Sequence, residues 1–306
     1  MPAPYCTVTD VLRRFDPGLS VADLGSAVFG IDSAEDVRAR IRAVSQDWDR
    51  DTGTALRHLR AGSPGAPRTY EYQNARRQRT RYPLRVELDH DDIVPFNAVA
   101  GDVLEIRTGR DNWDDVTDAE GDEWVLLHDS GELKVFEFLV DRIFFEAPDE
   151  RYLRATYRYG ALGGARGRGG ETTLTSDVDA TSTSLSVTNA ARLPASGVML
   201  LPNPETDSSE YVRVTDVDTD TDTLTVQRGV NGTVVAGHDE GTAVHYCPQD
   251  VRDAVAGEAA AELIRYDLST QRQDSDDAAI PPRDKLEDWR QEYRRTKAKY
   301  SAVRRM

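Results

Sequence analysis

Cysteine is nearly missing from these 306 residues, with Cys6 and Cys247 the only two. Two thiols over this length make no disulfide framework, so packed cores must hold the fold, and both are expected to be free in a protein made inside a cell. Lysine is almost as scarce: it occurs at 134, 285, 297 and 299 alone, although Lys and Arg together number 38. No apolar run approaches the length of a membrane-spanning helix, and Met1–Asp10 lacks the basic and apolar regions of a signal peptide. Catalytic motifs are missing as well. There is no G-x-S-x-G, no G-x-x-x-x-G-K-[ST], and no G-x-G-x-x-G opening a helix after a strand. The five histidines, His58, His90, His128, His238 and His245, have no metal-ligand spacing such as H-x-x-x-H. The expectation is a protein without enzymatic activity, cofactor or metal. A hydrolase with a carboxylate pair hidden among the 54 acidic residues stays open as a rival.

What the chain has in excess is acid. The net charge is −16. Abundant Asp with little Lys suits a protein of a halophilic host, where salt screens charge repulsion and carboxylates hold water and cations. Two stretches run the other way. Residues 283–306 hold nine basic and four acidic residues, and 68–85 hold six arginines against Glu71 alone. Such asymmetry points to a polyanion or an acidic partner, or to pairing with the chain's own acidic body.

Residues 1–62 read as helical. Ser33-Ala34-Glu35-Asp36 is a helix-start signature, and Val37, Ile41, Val44 and Trp48 then share one face, continued by Ala55, Leu56 and Leu59. From 63 to 160 the period falls to two, predicting an antiparallel β region with a turn at Asp129-Ser130-Gly131 and a polar loop over 111–122. Glycine-rich 161–170 reads as a hinge. Residues 171–247 carry short strands at regular spacing, as in a small β-barrel or sandwich. A helix with Val251, Val255, Ala259 and Leu263 on one face occupies 248–270, followed by an acidic linker, 271–282. The closing helix, 283–306, sets Leu286, Trp289, Tyr293 and Tyr300 on one side with Arg294, Arg295, Lys297 and Lys299 beside them. These are interface anchors in type, so a tethered arm that docks on a partner is expected, against the simpler fate of folding back on its own core. The fold class is α+β: a helical core, an antiparallel β region, and an all-β domain inserted in a loop and projecting outward.

Asp216, Asp218, Asp220 and Asp222 alternate like a calcium loop. The EF-hand pattern, however, needs Gly and Glu where Thr221 and Gln227 stand, which favours a solvated hairpin tip.

Taken in order, the pieces resemble the head–tail connector adaptors of tailed viruses. The matching residues are Trp48, Asp49, Thr52 and Gly53 at a helix end, Tyr157, Tyr159 and Gly160 at a strand end, then Pro248, Asp250, Val251 and Ala254 opening a helix. The β region is larger than the family's usual hairpin, and the last two motifs are split by 171–247. That insert resembles a small β module of virus neck and tail proteins, through Thr172–Leu174, Glu210–Val212, Arg228, Gly229, Gly232, Thr233, His238, Gly241 and Val244. The resemblance implies a virion protein of the neck, assembled in the host cytoplasm. Its copies would form a ring, dodecameric in the family, between the portal and a stopper or tail-completion protein. DNA would pass through the channel without sequence-specific binding. Leu286, Trp289, Tyr293, Arg294, Arg295, Lys297 and Tyr300 would hold the portal. Arg76, Arg77, Arg79 and Arg81 would face DNA or an acidic partner, and no membrane is involved. A tail-associated module whose insert binds a host-surface glycan is the alternative.

Overall fold

Three helices open the chain, each begun by a hydroxyl residue with an acid three positions on. In α1 (Val8–Phe15) Thr7 and Asp10 form a reciprocal capping box, with the Asp10 N–H on Thr7 Oγ1 at 3.3 Å and the Thr7 N–H on Asp10 Oδ2 at 2.9 Å. Ser20 and Asp23 do the same for α2 (Val21–Ala27). At α3 (Ala34–Thr52) the Ser33 N–H donates to Asp36 at 2.8 Å. The expected face of α3 is buried throughout: Val37, Ile41, Val44 and Trp48 are each no more than 2% exposed. The computed structural model describes residues 4–302 apart from 17, 28–30, 32, 53–54, 64–65, 72–74, 77–83, 91, 99–100, 145–150, 161–169, 204–208 and 268–282. The acidic linker and most of the glycine-rich hinge therefore lie outside the described residues.

The chain divides into two compact units, 58–162 and 1–57 with 163–306. In the first, the nine strands among the described residues make two sheets rather than one antiparallel set. The strands are β1 (Leu59–Ala61), β2 (Arg68–Glu71), β3 (Ala75–Arg76), β4 (Leu84–Glu87), β5 (Val103–Arg107), β6 (Trp113–Asp115), β7 (Trp124–Leu127), β8 (Glu132–Val135) and β9 (Arg151–Tyr159). One sheet runs β1-β9-β5-β6 with β2 also on β9, the other β3-β4-β8-β7. Leu104, Ile106, Leu153 and Tyr157 of the first share a core with Val86, Trp124, Leu126 and Leu133 of the second. Three expectations need correction. Leu59 leaves the helical face for β1. The 111–122 loop contains β6, with an indole to pack beside its two acids. The apolar run after Val135 turns into a short helix, α4 (Glu137–Val140), which buries Leu139. The turn at 129–131 forms as expected. Gly131 has φ +65, and a Cβ there would meet the His90 carbonyl oxygen at 2.1 Å. Asp102, fully buried, anchors the polar side of β9 by accepting from Arg158 Nε at 3.0 Å and Nη2 at 2.9 Å.

The other unit continues with β10 (Gly170–Thr173), β11 (Ser184–Ser186), β12 (Gly197–Leu201), β13 (Glu210–Asp218), β14 (Thr223–Val230) and β15 (Ala243–Tyr246). Their order is β10-β15-β12-β13-β14-β11. The two ends of this sheet meet. Leu174 bridges Val187, the Thr175 N–H bonds the Ser186 carbonyl at 3.0 Å, and the Thr188 N–H bonds Thr173 at 2.9 Å. The sheet thus closes into a six-stranded barrel, which leaves no open edge. Leu185, Met199, Leu201, Val212, Leu224 and Val244 fill it.

Two long helices end the fold, α5 (Gln249–Asp267) and α6 (Arg283–Ala302). They share one core with α1 and α3. The barrel does not project from these helices as expected. Its outer face carries Tyr211 and His245, both buried, and the N-terminal segment covers them. The Tyr211 hydroxyl donates to Asp10 Oδ2 at 2.5 Å, with the Arg252 guanidinium 4.8 Å from its ring centre. The Tyr5 ring lies 6.0 Å from His245, and its hydroxyl donates to Asp49 and accepts the Leu56 N–H at 2.9 Å. Arg57 forks onto Asp49 through Nε and Nη2 at 2.9 and 2.7 Å. Burial pushes the Asp49 carboxyl upward, with Arg57 and Tyr5 pulling the other way.

Replacing 171–247 by a short Gly-Ser link uncovers Tyr5, Cys6 and Arg252. The thermal midpoint of the helical part should then fall by several degrees. An unchanged melt would mean that the barrel face contributes nothing to the helices.

Candidate functional site

The insert motif is built around the first residue of its Glu-Tyr-Val strand. Glu210 is completely enclosed. Arg228 forks onto it, Nε to Oε1 at 2.8 Å and Nη2 to Oε2 at 2.6 Å. The Gly229 N–H adds 2.8 Å to Oε1, the Ala236 N–H 3.2 Å to Oε2, and His238 Nε2 stands 3.2 Å from Oε2. Arg228 spends its remaining N–H groups on the carbonyls of Asp179, Ser182 and Ala236. One carboxylate therefore ties β13, β14 and the 229–238 loop together. Burial would raise its pKa, but the His238 and Arg228 contacts and the two backbone N–H groups hold it down at about 2. The other motif residues shape the turns. Gly229 has φ +62, with a Val235 methyl 2.8 Å from where its Cβ would stand. The Thr233 hydroxyl accepts the Tyr211 N–H at 2.9 Å and donates to the Val230 carbonyl at 2.9 Å. Gly232 and Gly241 take positive φ. The motif is a structural clasp.

The closing helix meets the fate that sequence reading ranked second. Leu286, Trp289, Tyr293 and Tyr300 are 4–8% exposed and lie in the chain's own core. Tyr293 and Tyr300 stand edge-on to Trp48, with ring centres 5.7 and 5.6 Å away, and Trp289 stacks edge-on with Phe15 at 5.9 Å. Gly257 of α5 lets Trp289 approach, since a Cβ there would meet its Cβ at 3.3 Å. Two flanking lysines pair with the acidic body, Lys297 with Asp51 and Lys299 with Asp250 at 2.7 Å, while Arg294 pairs with Glu287 of its own helix at 3.6 Å. The apolar face is filled by its own molecule, so a partner can reach only the outward side, where Arg294 and Arg295 are exposed.

Of the arginine cluster, Arg77, Arg79 and Arg81 lie outside the described residues. Arg76 is placed in β3 by its backbone, opposite Arg85 of β4. The two motif segments of the helical core are brought together. Trp48 packs with Val251 and Ala254, the Thr52 hydroxyl bonds the Trp48 carbonyl at 2.8 Å, and Asp250 accepts from the Tyr300 hydroxyl at 3.1 Å.

His90 and His128 serve the 58–162 unit, one 3.0 Å from the Tyr157 hydroxyl and the other 2.8 Å from the Ile93 carbonyl oxygen. No group of three or more His, Cys, Asp or Glu among the described residues is arranged to hold a metal. Burial raises both Cys6 and Cys247 thiols, which are unpaired within the helical core. No described helix is long and apolar enough to cross a membrane. No protein-family model and no curated protein matches this chain.

Glu210→Gln should cost about 3–5 kcal/mol, because it leaves Arg228 buried without its anion. A carboxylate held near 2 when folded and near 4.3 when unfolded adds stability that is complete above about pH 4.3 and lost as pH falls toward 2. Urea melts across that range should therefore lose this slope in the variant. Trp289→Ala should cost about 3–5 kcal/mol in the same assay, as for a core aromatic. Wild-type stability in Trp289→Ala would return this side chain to the surface.

Proposed function

We propose that the chain is a structural virion protein, a head–tail adaptor whose copies form a ring between the portal and the neck or tail. What supports this reading is the way its scattered motif residues meet. Trp48 and Thr52 end α3, Asp250, Val251 and Ala254 begin α5, and about two hundred positions of sequence separate them. Trp48, Val251 and Ala254 nonetheless share one core. In this reading α1, α3, α5 and α6 are the adaptor core, 171–247 is a β module carried between β9 and α5, and the 58–162 unit is an enlarged β region. The partners are further copies of the chain, the portal, and a stopper or tail-completion protein. DNA passes without base-specific contact, and the chain works by shape and not by catalysis.

The portal contact falls to the outward side of α6, Arg294 and Arg295, in place of its apolar face. The glycan-binding alternative draws no support from the insert's tyrosines. Tyr211 is 2% exposed beneath α1, and Tyr246 is only partly open.

The deciding measurement is the mass of the purified chain in concentrated potassium chloride, alone and with portal protein, by light scattering and native electron microscopy. A closed ring, or a monomer that becomes a ring on the portal, is the expected result. A monomer indifferent to the portal would overturn the proposal.

A further inference from the structure

The four-stranded sheet of the 58–162 unit ends in two edges of opposite character. β7, Trp124-Val125-Leu126-Leu127, is one outer strand, and no described strand pairs with its far side beyond a single bridge from Glu120 to Trp124. Edge strands usually carry a lysine, a proline or a bulge that keeps other chains away. β7 has none of these, in a chain of which 30% is charged. Leu127 is 39% exposed. Acids surround the strand instead: Asp118, Glu120 and Asp122 before it and Asp129 after it are all exposed.

The opposite edge is β3. Strand pairing sets Arg76, Arg85 and Lys134 in one row across β3, β4 and β8, and the row ends on Val125 of β7. Like charges in direct register, as at Arg85 beside Lys134, are unfavourable. Glu132, one row away, reaches Arg85 at 3.3 Å and offsets only part of this. The row contains no counter-charge of its own.

We infer that these two edges are the halves of one contact, in which β3 of one copy lies antiparallel to β7 of the next and continues the sheet from copy to copy. The inference rests on the ring reading above and names the surface by which the ring closes. Such a contact is heterologous, and around a closing rotation it gives a ring. Main-chain hydrogen bonds supply what molar salt leaves, since screening there acts within about 3 Å. The charges select which edges meet. Ala75 and Arg76 of β3 set direction and register against β7, and the bulk of the affinity comes from the rest of the interface.

The test uses the full chain in potassium chloride, with assembly read by light scattering and electron microscopy and folding by circular dichroism. Arg76→Asp and Asp122→Arg, each alone, should weaken assembly by about tenfold or more, while both still melt cooperatively. The double variant, and an equal mixture of the two single variants, should recover it, because each restores opposite charges at every contact. Val125→Lys, which adds a guarding charge without touching the acids, should also block assembly. Wild-type rings from all of these variants would overturn the inference and leave the adaptor reading intact. Open filaments sensitive to the swap would uphold the strand contact and refute the ring. A wild-type monomer, with or without portal, would refute both. Unchanged assembly with loss of double-stranded DNA binding in Arg76→Asp would assign the cation row to a polyanion and end the inference.

Discussion

Everything in the helical part depends on Trp48 being enclosed from both ends of the chain. Tyr5 meets its ring edge-on from the N-terminal segment, and Tyr293 and Tyr300 meet it from α6, with centres 5.6–6.4 Å away. Such edge-to-face pairs add about 0.5–1.5 kcal/mol each beyond burial. The pairs with Tyr293 and Tyr300 form only when the last helix has returned to the third. The two β structures are then long excursions from one helical meeting point.

Buried carboxylates under arginine forks recur at the places where elements must be joined. Asp49 with Arg57 secures the end of segment 1–57, Asp102 with Arg158 secures β9, and Glu210 with Arg228 secures the barrel loop. Each accepts from both Nε and Nη2 of its arginine, a planar fork that lysine lacks. This gives the scarcity of lysine a structural side beyond composition. Exposed pairs such as Arg50 with Asp47 are weakened by salt, while enclosed ones are screened far less. Ionic contacts are therefore strongest in salt where water and ions are excluded.

Local pattern made much of this fold legible. The faces of α3 and α5 and five of the six barrel strands follow from spacing and turn residues. β10 was hidden because Gly170 belongs to a glycine-rich run whose strand role depends on pairing with β15. β6 was hidden because edge strands tolerate the charges that mark a loop. Glu210 stood in the motif with Arg228, Gly229, Thr233 and His238, but its burial did not show: one acid among many carries no local sign of being enclosed. For α6 the apolar stripe was plain, yet a stripe reads the same whether the partner is foreign or the molecule's own core. Only the positions of Trp48 and Phe15 decide between them.

The closed barrel also bears on how the chain acquires its shape. The helical core joins residues near 50 to residues near 290, and such distant contacts form slowly because a long loop must close first. Barrel and sheets draw on nearby strands and can form while α5 and α6 are still being synthesised. Once the barrel has closed, its first and last strands, β10 and β15, lie side by side. Nearly eighty residues of slack are thereby removed from the path between α3 and α5. The insert then acts as an internal clamp, shortening the search by which the two ends of the chain find each other. Until that moment the apolar faces of α1 and α3 are uncovered, and they are the surfaces most exposed to aggregation during synthesis.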